Sequence, residues 1–326
     1  MGTVIREIHK KPNLRPPKKR RRWIMTFISI IMIILLAIIV ISYFVTNALI
    51  HPARQPVAEN PSAVGLPYQN ITFTSREGHL KLNGWLIKAE KPTHKWIILS
   101  HGYTENRLIW PDIDSGKPGL EFMKFLHQAG FNVVTFDFRN SGSSEGKTTT
   151  VGYYEKYDLL GAIDKVKSFD RHAEVGLIGW SQGAATSLMA APKNPSVKFV
   201  VADSPFTNLK KYLETNLPHW SHLPSFPFTP VILDFWAPIL SGLDASEVSP
   251  INAVKHFNGP ILLIHSTADE AIPDSNSLAI YHKYKNHKNI RLITFDEASH
   301  TESFLLFPDR YKKALLNFFA QNNFTP

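Results

Sequence analysis

The stretch LIGWSQGAA (177–185) sets one serine between two glycines, directly after an apolar run and directly before small, helix-forming residues. VGLIGW (175–180) reads as a strand, and SQGAATSLMAA (181–191) as a helix beginning at or just after Ser181. Gly179, Ser181 and Gly183 therefore stand at a strand–turn–helix corner. So sharp a turn strains the serine backbone, and side chains at the flanking positions would clash between strand and helix. The helix amino terminus also turns N–H groups toward any anion formed beside Ser181. A bare G-x-S-x-G arises in ordinary Gly/Ser loops as well, so a nucleophile here needs partners elsewhere in the chain.

Outward from this corner the sequence alternates strands and helices. WIILS (96–100), NVVTFDF (132–138), KFVVAD (198–203), ILLIH (261–265) and IRLITFD (290–296) are short apolar, β-rich runs suited to strands buried on both faces. YQNITFTS (68–75) and LNGWLIKA (82–89) read as an opening antiparallel hairpin. Leu159, Ile163 and Val166 share one helical face, as do Tyr311, Leu315, Phe318 and Phe319. The pattern predicts an α/β domain over 68–326, a mostly parallel sheet flanked by helices. The segment 204–259, rich in Pro, Trp and Phe, is expected to form a small helical cap.

The partners come in chain order. After ILLIH lies STADEAIP (266–273), and after IRLITFD lies EASH (297–300). Asp269 and His300 thus follow the last two strands, at the sheet edge where Ser181 also lies. His300 is the expected base for Ser181, and Asp269 the group that orients the imidazole and stabilises its charge. The loop HGYTENR (101–107) follows the first long strand. Its Tyr103 N–H and that of Gln182 are the expected oxyanion donors. His101 precedes the serine and is read as structural. Asp137 and Asp203 also end strands and are the alternative candidates for the acid, while Asp296 is read as capping a strand. Glu155 and Asp158 are read as helix-starting acids. The pairs His219/His222 and His282/His287 lack an accompanying carboxylate motif, so no metal is expected, and no cofactor.

The net charge of +9 looks like a nucleic-acid signal until it is located. Nine Lys or Arg fall in residues 1–22 against one acid, leaving 27 basic and 26 acidic residues after them. The globular part is close to neutral, which removes the main support for a nucleic-acid partner. Residues 23–45 carry no charge and only Thr26, Ser29 and Ser42 as polar interruptions. About 20 apolar residues cross the hydrocarbon core, so this is read as a membrane span. A signal peptide would have a shorter apolar core and an A-x-A-like cleavage site. Because the basic residues precede the span, the amino terminus is expected in the cytoplasm and the rest outside. The basic tail, Lys18–Arg22 included, would touch lipid headgroups. Residues 46–67, with four prolines, are read as a linker. The chain has no cysteine, which suits a bacterial exported domain held by its core.

Together HGYTENR, DFRNSGSSEG (137–146), GYYEKYDL (152–159), GWSQG (179–183), DSPF (203–206), HSTADEAIP (265–273) and SH (299–300) resemble the α/β-hydrolase superfamily. The narrower resemblance is to membrane-anchored bacterial serine hydrolases of the esterase, cephalosporin-deacetylase-like or serine-aminopeptidase-like kind. It implies a membrane-anchored carboxylic-ester hydrolase working through an acyl-enzyme on Ser181. A peptidase or amidase of the same fold is the alternative, and a silent anchored binding module the less favoured one. The cap segment matches no substrate class. Its aromatic and proline-rich composition favours an apolar acyl or alcohol group. Its shortness leads to an expected ceiling near eight acyl carbons, about where added CH₂ groups would find no wall. Oligomeric state is left open.

Overall fold

A computed structural model describes residues 18–326. The apolar runs form eight strands in one sheet. They are β1 (Gln69–Thr74), β2 (Lys81–Ile87), β3 (Lys95–Ser100), β4 (Asn132–Phe136), β5 (Glu174–Trp180), β6 (Val197–Asp203), β7 (Ile261–Ser266) and β8 (Ile290–Phe295). Their order across the sheet is β1-β2-β4-β3-β5-β6-β7-β8. β2 runs antiparallel to β1 and to β4, and every other pairing is parallel. Parallel neighbours require crossovers, and these place helices on both faces, which is why β3 to β7 are almost wholly buried.

The helices are α1 (Lys18–Ile50), α2 (Lys117–Gln128), α3 (Glu155–Phe169), α4 (Gln182–Ala190), α5 (Leu209–Ser221), α6 (Ser225–Pro230), α7 (Ala237–Ser241), α8 (Pro250–Ala253), α9 (Ser275–Tyr284), α10 (Ser303–Leu306) and α11 (Pro308–Gln321). One apolar core joins a sheet face to α3, α4 and α9, and a second joins the other face to α2 and α11. The expected faces of α3 and α11 are the buried ones.

A third apolar cluster belongs to the cap. Between β6 and β7 the chain forms α5, α6, a turn of π-helix (Val231–Trp236) and α7, cut into short pieces at its prolines. The cap is helical, as its composition predicts.

The amino-terminal boundaries differ from expectation. The apolar helix runs to Ile50, so the first five residues of the expected linker belong to α1. Nothing in TNALI breaks a helix before Pro52, and Val45 and Leu49 gain a packing surface on the cap. The remaining linker is fastened to the domain. Arg54 donates to the carbonyls of Ser144 and Gly146, and Asn106 donates to those of Gln55 and Pro56. Lys18–Arg22 open α1; the rest of the basic tail lies outside the described residues.

Candidate active site

β5 delivers Ser181 to the corner that the sequence anticipates. Its backbone sits at φ 51° and ψ −114°, outside the ordinary regions for a residue with a side chain. Neighbouring bonds hold it there: its N–H donates to the Asp203 carbonyl at 2.8 Å, and its own carbonyl accepts from Ala185 at 3.0 Å. Both flanking glycines are needed for close approach. A Cβ on Gly183 would overlap the Ser100 and His101 carbonyl oxygens, and one on Gly179 would overlap the Gly183 carbonyl.

The loops after β7 and β8 bring the other two residues to this corner. His300 Nε2 lies 2.8 Å from Ser181 Oγ, and His300 Nδ1 lies 2.7 Å from Asp269 Oδ2. A carboxylate can only accept, so Nδ1 carries a proton and Nε2 is left to accept from the serine hydroxyl. Asp269 Oδ1 accepts from the N–H groups of Ala271 and Ile272, at 3.0 and 2.8 Å. Burial works to raise the Asp269 carboxyl. The bonds from His265, His300 and Ile272 outweigh it and hold the group well below the usual carboxylate range.

His265 is a participant that the sequence reading did not single out. It is fully buried, with Nε2 2.7 Å from the Ile272 carbonyl and 3.3 Å from Asp269 Oδ2. Both partners are acceptors, so Nε2 carries the proton; Nδ1 lies 2.7 Å from Ser277 Oγ. Asp269 is thus gripped from two sides. A histidine ending an apolar strand gives no local hint of this.

The other carboxylates are engaged elsewhere. Asp203 takes the Tyr311 hydroxyl at 2.9 Å and that of Ser204 at 3.1 Å. Burial, opposed by the Tyr311 bond, pushes its carboxyl up to about 6. Asp137 receives the Arg107 backbone and guanidinium together with the Ser143 N–H. Asp158 pairs with Arg139 at 2.7 Å, and Glu155 accepts from Thr150 and Gly152. Asp296 accepts from Thr267. His101 is structural, as read: its Nδ1 meets the Gly102 carbonyl and its Nε2 accepts the Phe138 N–H. Burial brings it down to about 4. Among the described residues no three His, Asp or Glu side chains gather as a metal site.

Ser181, His300, Tyr103 and Gln182 line one cavity of about 410 Å³, within the ordinary size of a small-molecule site. Gln182 opens α4, so its N–H has no carbonyl four residues back within the helix. Tyr103 lies in the facing loop, where Glu105 Oε2 accepts the Gly102 N–H at 2.6 Å. Protein encloses the Glu105 carboxyl, yet the residue keeps partial exposure to the cavity. Burial, opposed by the Gly102 bond, raises it to about 8.

The remaining wall is apolar and comes from the cap and from α1: Leu213, Ile232 and Leu233 face Thr46, Leu49 and Ile50. The Tyr103 hydroxyl donates to the Leu49 carbonyl at 2.7 Å, and the Thr149 N–H to that of Ile50 at 2.8 Å. Both carbonyls belong to the last turn of α1, which has no intrahelical donors of its own. Burial pushes the Tyr103 phenol up to about 12, so it stays a donor. Glu105 and these α1 residues were not anticipated as part of the site. The i, i+4 recurrence of Ser42, Thr46 and Ile50 was the available signal that one face of α1 extends past the apolar run.

Comparison with known proteins agrees with this architecture. Residues 95–243 match the family described as alpha/beta hydrolase fold. The Bacillus subtilis protein YqkD is 33% identical over 238 residues, covering 72% of this chain and 74% of YqkD. The Macaca fascicularis lysophosphatidylserine lipase ABHD12 is 27% identical over 203 residues, 58% of this chain and 45% of that protein. The Pyrococcus furiosus esterase Pf2001 superposes with a TM-score of 0.68 at 26% identity, covering 84% of this chain and 98% of the esterase.

Proposed function

The chain belongs to the α/β-hydrolase superfamily, and from that premise we propose that it is a membrane-anchored serine hydrolase cleaving carboxylic esters. The observation that carries the reading is the continuous run of short contacts from Ser181 Oγ through His300 to Asp269. In the first half-reaction Ser181 Oγ forms a bond to the ester carbonyl carbon while His300 Nε2 takes the hydroxyl proton. The carbonyl oxygen becomes an oxyanion that accepts from the N–H groups of Gln182 and Tyr103, each such donor worth roughly 10²–10³ in rate. Collapse breaks the bond to the alcohol oxygen, which leaves with the proton from His300. Water then repeats the sequence on the acyl-Ser181 ester, releasing the acid and restoring the serine. Asp269 stays ionised throughout, which its depressed carboxyl supports.

The cavity wall is largely apolar and its one carboxyl among the described residues, Glu105, is held protonated by burial, which favours an ester over a peptide terminus that would need a charged partner. The anchor is α1, and Lys18–Arg22 at its start favour a cytoplasmic amino terminus with the hydrolase domain outside. The test is a fluorophosphonate probe on the full-length, folded protein, followed by a panel of acyl esters and aminoacyl amides. The adduct is expected on Ser181, with turnover of esters. A folded protein that is not labelled overturns the serine mechanism; turnover of amides alone overturns the ester assignment.

A further inference from the structure

The cap meets α1 not only where its apolar run ends but also further back along it. The Trp236 indole N–H donates to the Ile39 carbonyl at 2.9 Å, and the Trp236 ring stands edge-on to Tyr43, 5.2 Å between centroids. Ile39 lies six residues before the end of the apolar run at Val45, which at 1.5 Å per residue is about 9 Å along the axis. A helix whose run 23–45 crosses the bilayer therefore carries the cap contact below the level at which it leaves the hydrocarbon. The side chains at this depth are sorted accordingly. Ser42 and Thr46 are buried against the protein, whereas Ile41 and Phe44 face outward.

The cap surface beside this contact is apolar. Trp220 (50%), Phe226 (82%), Phe235 (49%) and Ile239 (60%) are exposed, and they are four of the seven large apolar side chains so exposed outside α1. Phe226, Phe235 and Ile239 are carried by α6, the π-helical turn and α7, each of which packs against α1, so their exposed apolar surface lies beside that helix. The charged residue among them, Asp234, is paired with Lys210 at 2.7 Å, so the patch carries no unmatched charge there.

We infer that this cap face is a second membrane-contact surface, sunk into the same leaflet from which α1 emerges, and that the cavity draws its ester from that leaflet. The occupant is lipid because these side chains stand on elements packed against α1, a helix already long and apolar enough to span. The inference rests on the serine-hydrolase reading of the same cavity and adds where the substrate comes from. Trp220 both lines the cavity and is half exposed, so the wall of the site reaches the cap surface at its ring. A chain-length ceiling near eight carbons assumed that the cap alone walls the site. With α1 as a further wall and lipid at the rim, a longer acyl chain stays in apolar surroundings, and a single-chain lipid ester becomes the fitting substrate class.

The cysteine-free chain allows a direct test. Phe226→Cys and Phe235→Cys, with Lys313→Cys on α11 as the reference, are labelled with an environment-sensitive fluorophore in the full-length protein in phosphatidylcholine–phosphatidylglycerol vesicles. Labels at 226 and 235 are expected to be quenched by doxyl-lipid and shielded from aqueous iodide, with the reverse at 313. Equal iodide quenching at all three positions overturns the surface. In parallel, the triple variant Phe226→Asp, Phe235→Asp, Ile239→Asp is assayed on vesicle-borne 1-oleoylglycerol and on dissolved p-nitrophenyl butyrate. The expected result is a loss of at least about tenfold on the lipid and none on the dissolved ester. Equal rates on both, or a parallel loss on both, overturn delivery from the leaflet. Absence of any ester turnover with Ser181 unlabelled overturns the hydrolase reading instead, and the quenching result still decides the surface.

Discussion

On the sheet side of the cavity, directional bonds fix each group that would do chemistry. Ser181 is held by the Asp203 carbonyl, Asp269 by two backbone N–H groups and two histidines, and the 101–107 loop by Glu105 and Asp137. On the opposite side the wall is side-chain packing: Leu213, Ile232 and Leu233 against the end of α1, with Tyr103 as a polar tie between the two halves. Hydrogen bonds fix geometry to a few tenths of an ångström, as proton transfer requires, whereas apolar packing tolerates exchange of shape and volume. On the proposed reading, the chemistry is specified at one wall and the substrate at the other.

Variants should separate the two sides, beginning with the largest effect. Ser181→Ala is expected to lower ester turnover by roughly 10⁴–10⁶ without loss of folding, measured as kcat on p-nitrophenyl esters beside a circular-dichroism melt. Near-wild-type turnover would remove the basis for the contrast. Gly183→Ala attacks the rigid side through its backbone. The added Cβ meets two carbonyl oxygens that cannot rotate away, so a cost of about 3 kcal/mol is expected in urea unfolding.

His265→Leu removes one of the two histidine contacts to Asp269 and strands the Ile272 carbonyl. A hydrogen bond to a charged group contributes about 1.5–3 kcal/mol, so kcat/KM should fall roughly 10- to 100-fold. An unchanged value would mean that His300 and the backbone donors suffice. Tyr103→Phe cuts only the polar tie. A neutral bond contributes about 1 kcal/mol, and a loss of less than about tenfold in kcat/KM is expected.

The last effect is read against pH rather than against substrate. The folded state holds the Glu105 proton up to about 8, whereas the reference carboxyl releases it near 4.5. Between these values the folded protein binds more protons than the unfolded chain. This contribution to stability is therefore complete below the lower value and lost as pH rises through the upper one. The slope is at most about 1.4 kcal/mol per pH unit, and less because the cavity admits water. Glu105→Gln keeps an acceptor for the Gly102 N–H and should flatten stability between pH 5 and 8 in chemical denaturation. An unaltered profile would assign the pH dependence elsewhere.

The rigid side was the legible one. Apolar runs of five to seven residues, three of them leading to a Ser, an Asp and a His in that order, are local signals, and they led to the strands, to Ser181, Asp269 and His300, and to the cap as a helical insertion. His265 escaped because it ends such a run, where any buried side chain looks alike. Glu105 escaped because its partner, the Gly102 N–H, is a backbone group with no signature. The true end of α1 escaped because TNALI mixes polar and apolar residues, and its helical state is supported by contacts nearly two hundred residues away. Local pattern reveals what local chemistry fixes; a wall shared between the first and the middle parts of the chain has no such pattern.

The contact between Ile39 and Trp236 spans 197 residues, and it sets an order of events in the life of the chain. α1 leaves the ribosome before the cap, so the face bearing Ser42 and Thr46 has no cap to meet until that segment has been made. His300 follows later still. In the proposed topology the domain must also reach the far side of the membrane before Leu49 and Ile50 can close the cavity. On that topology maturation and localisation are one step: the cavity is complete only where α1 and the cap have been reunited.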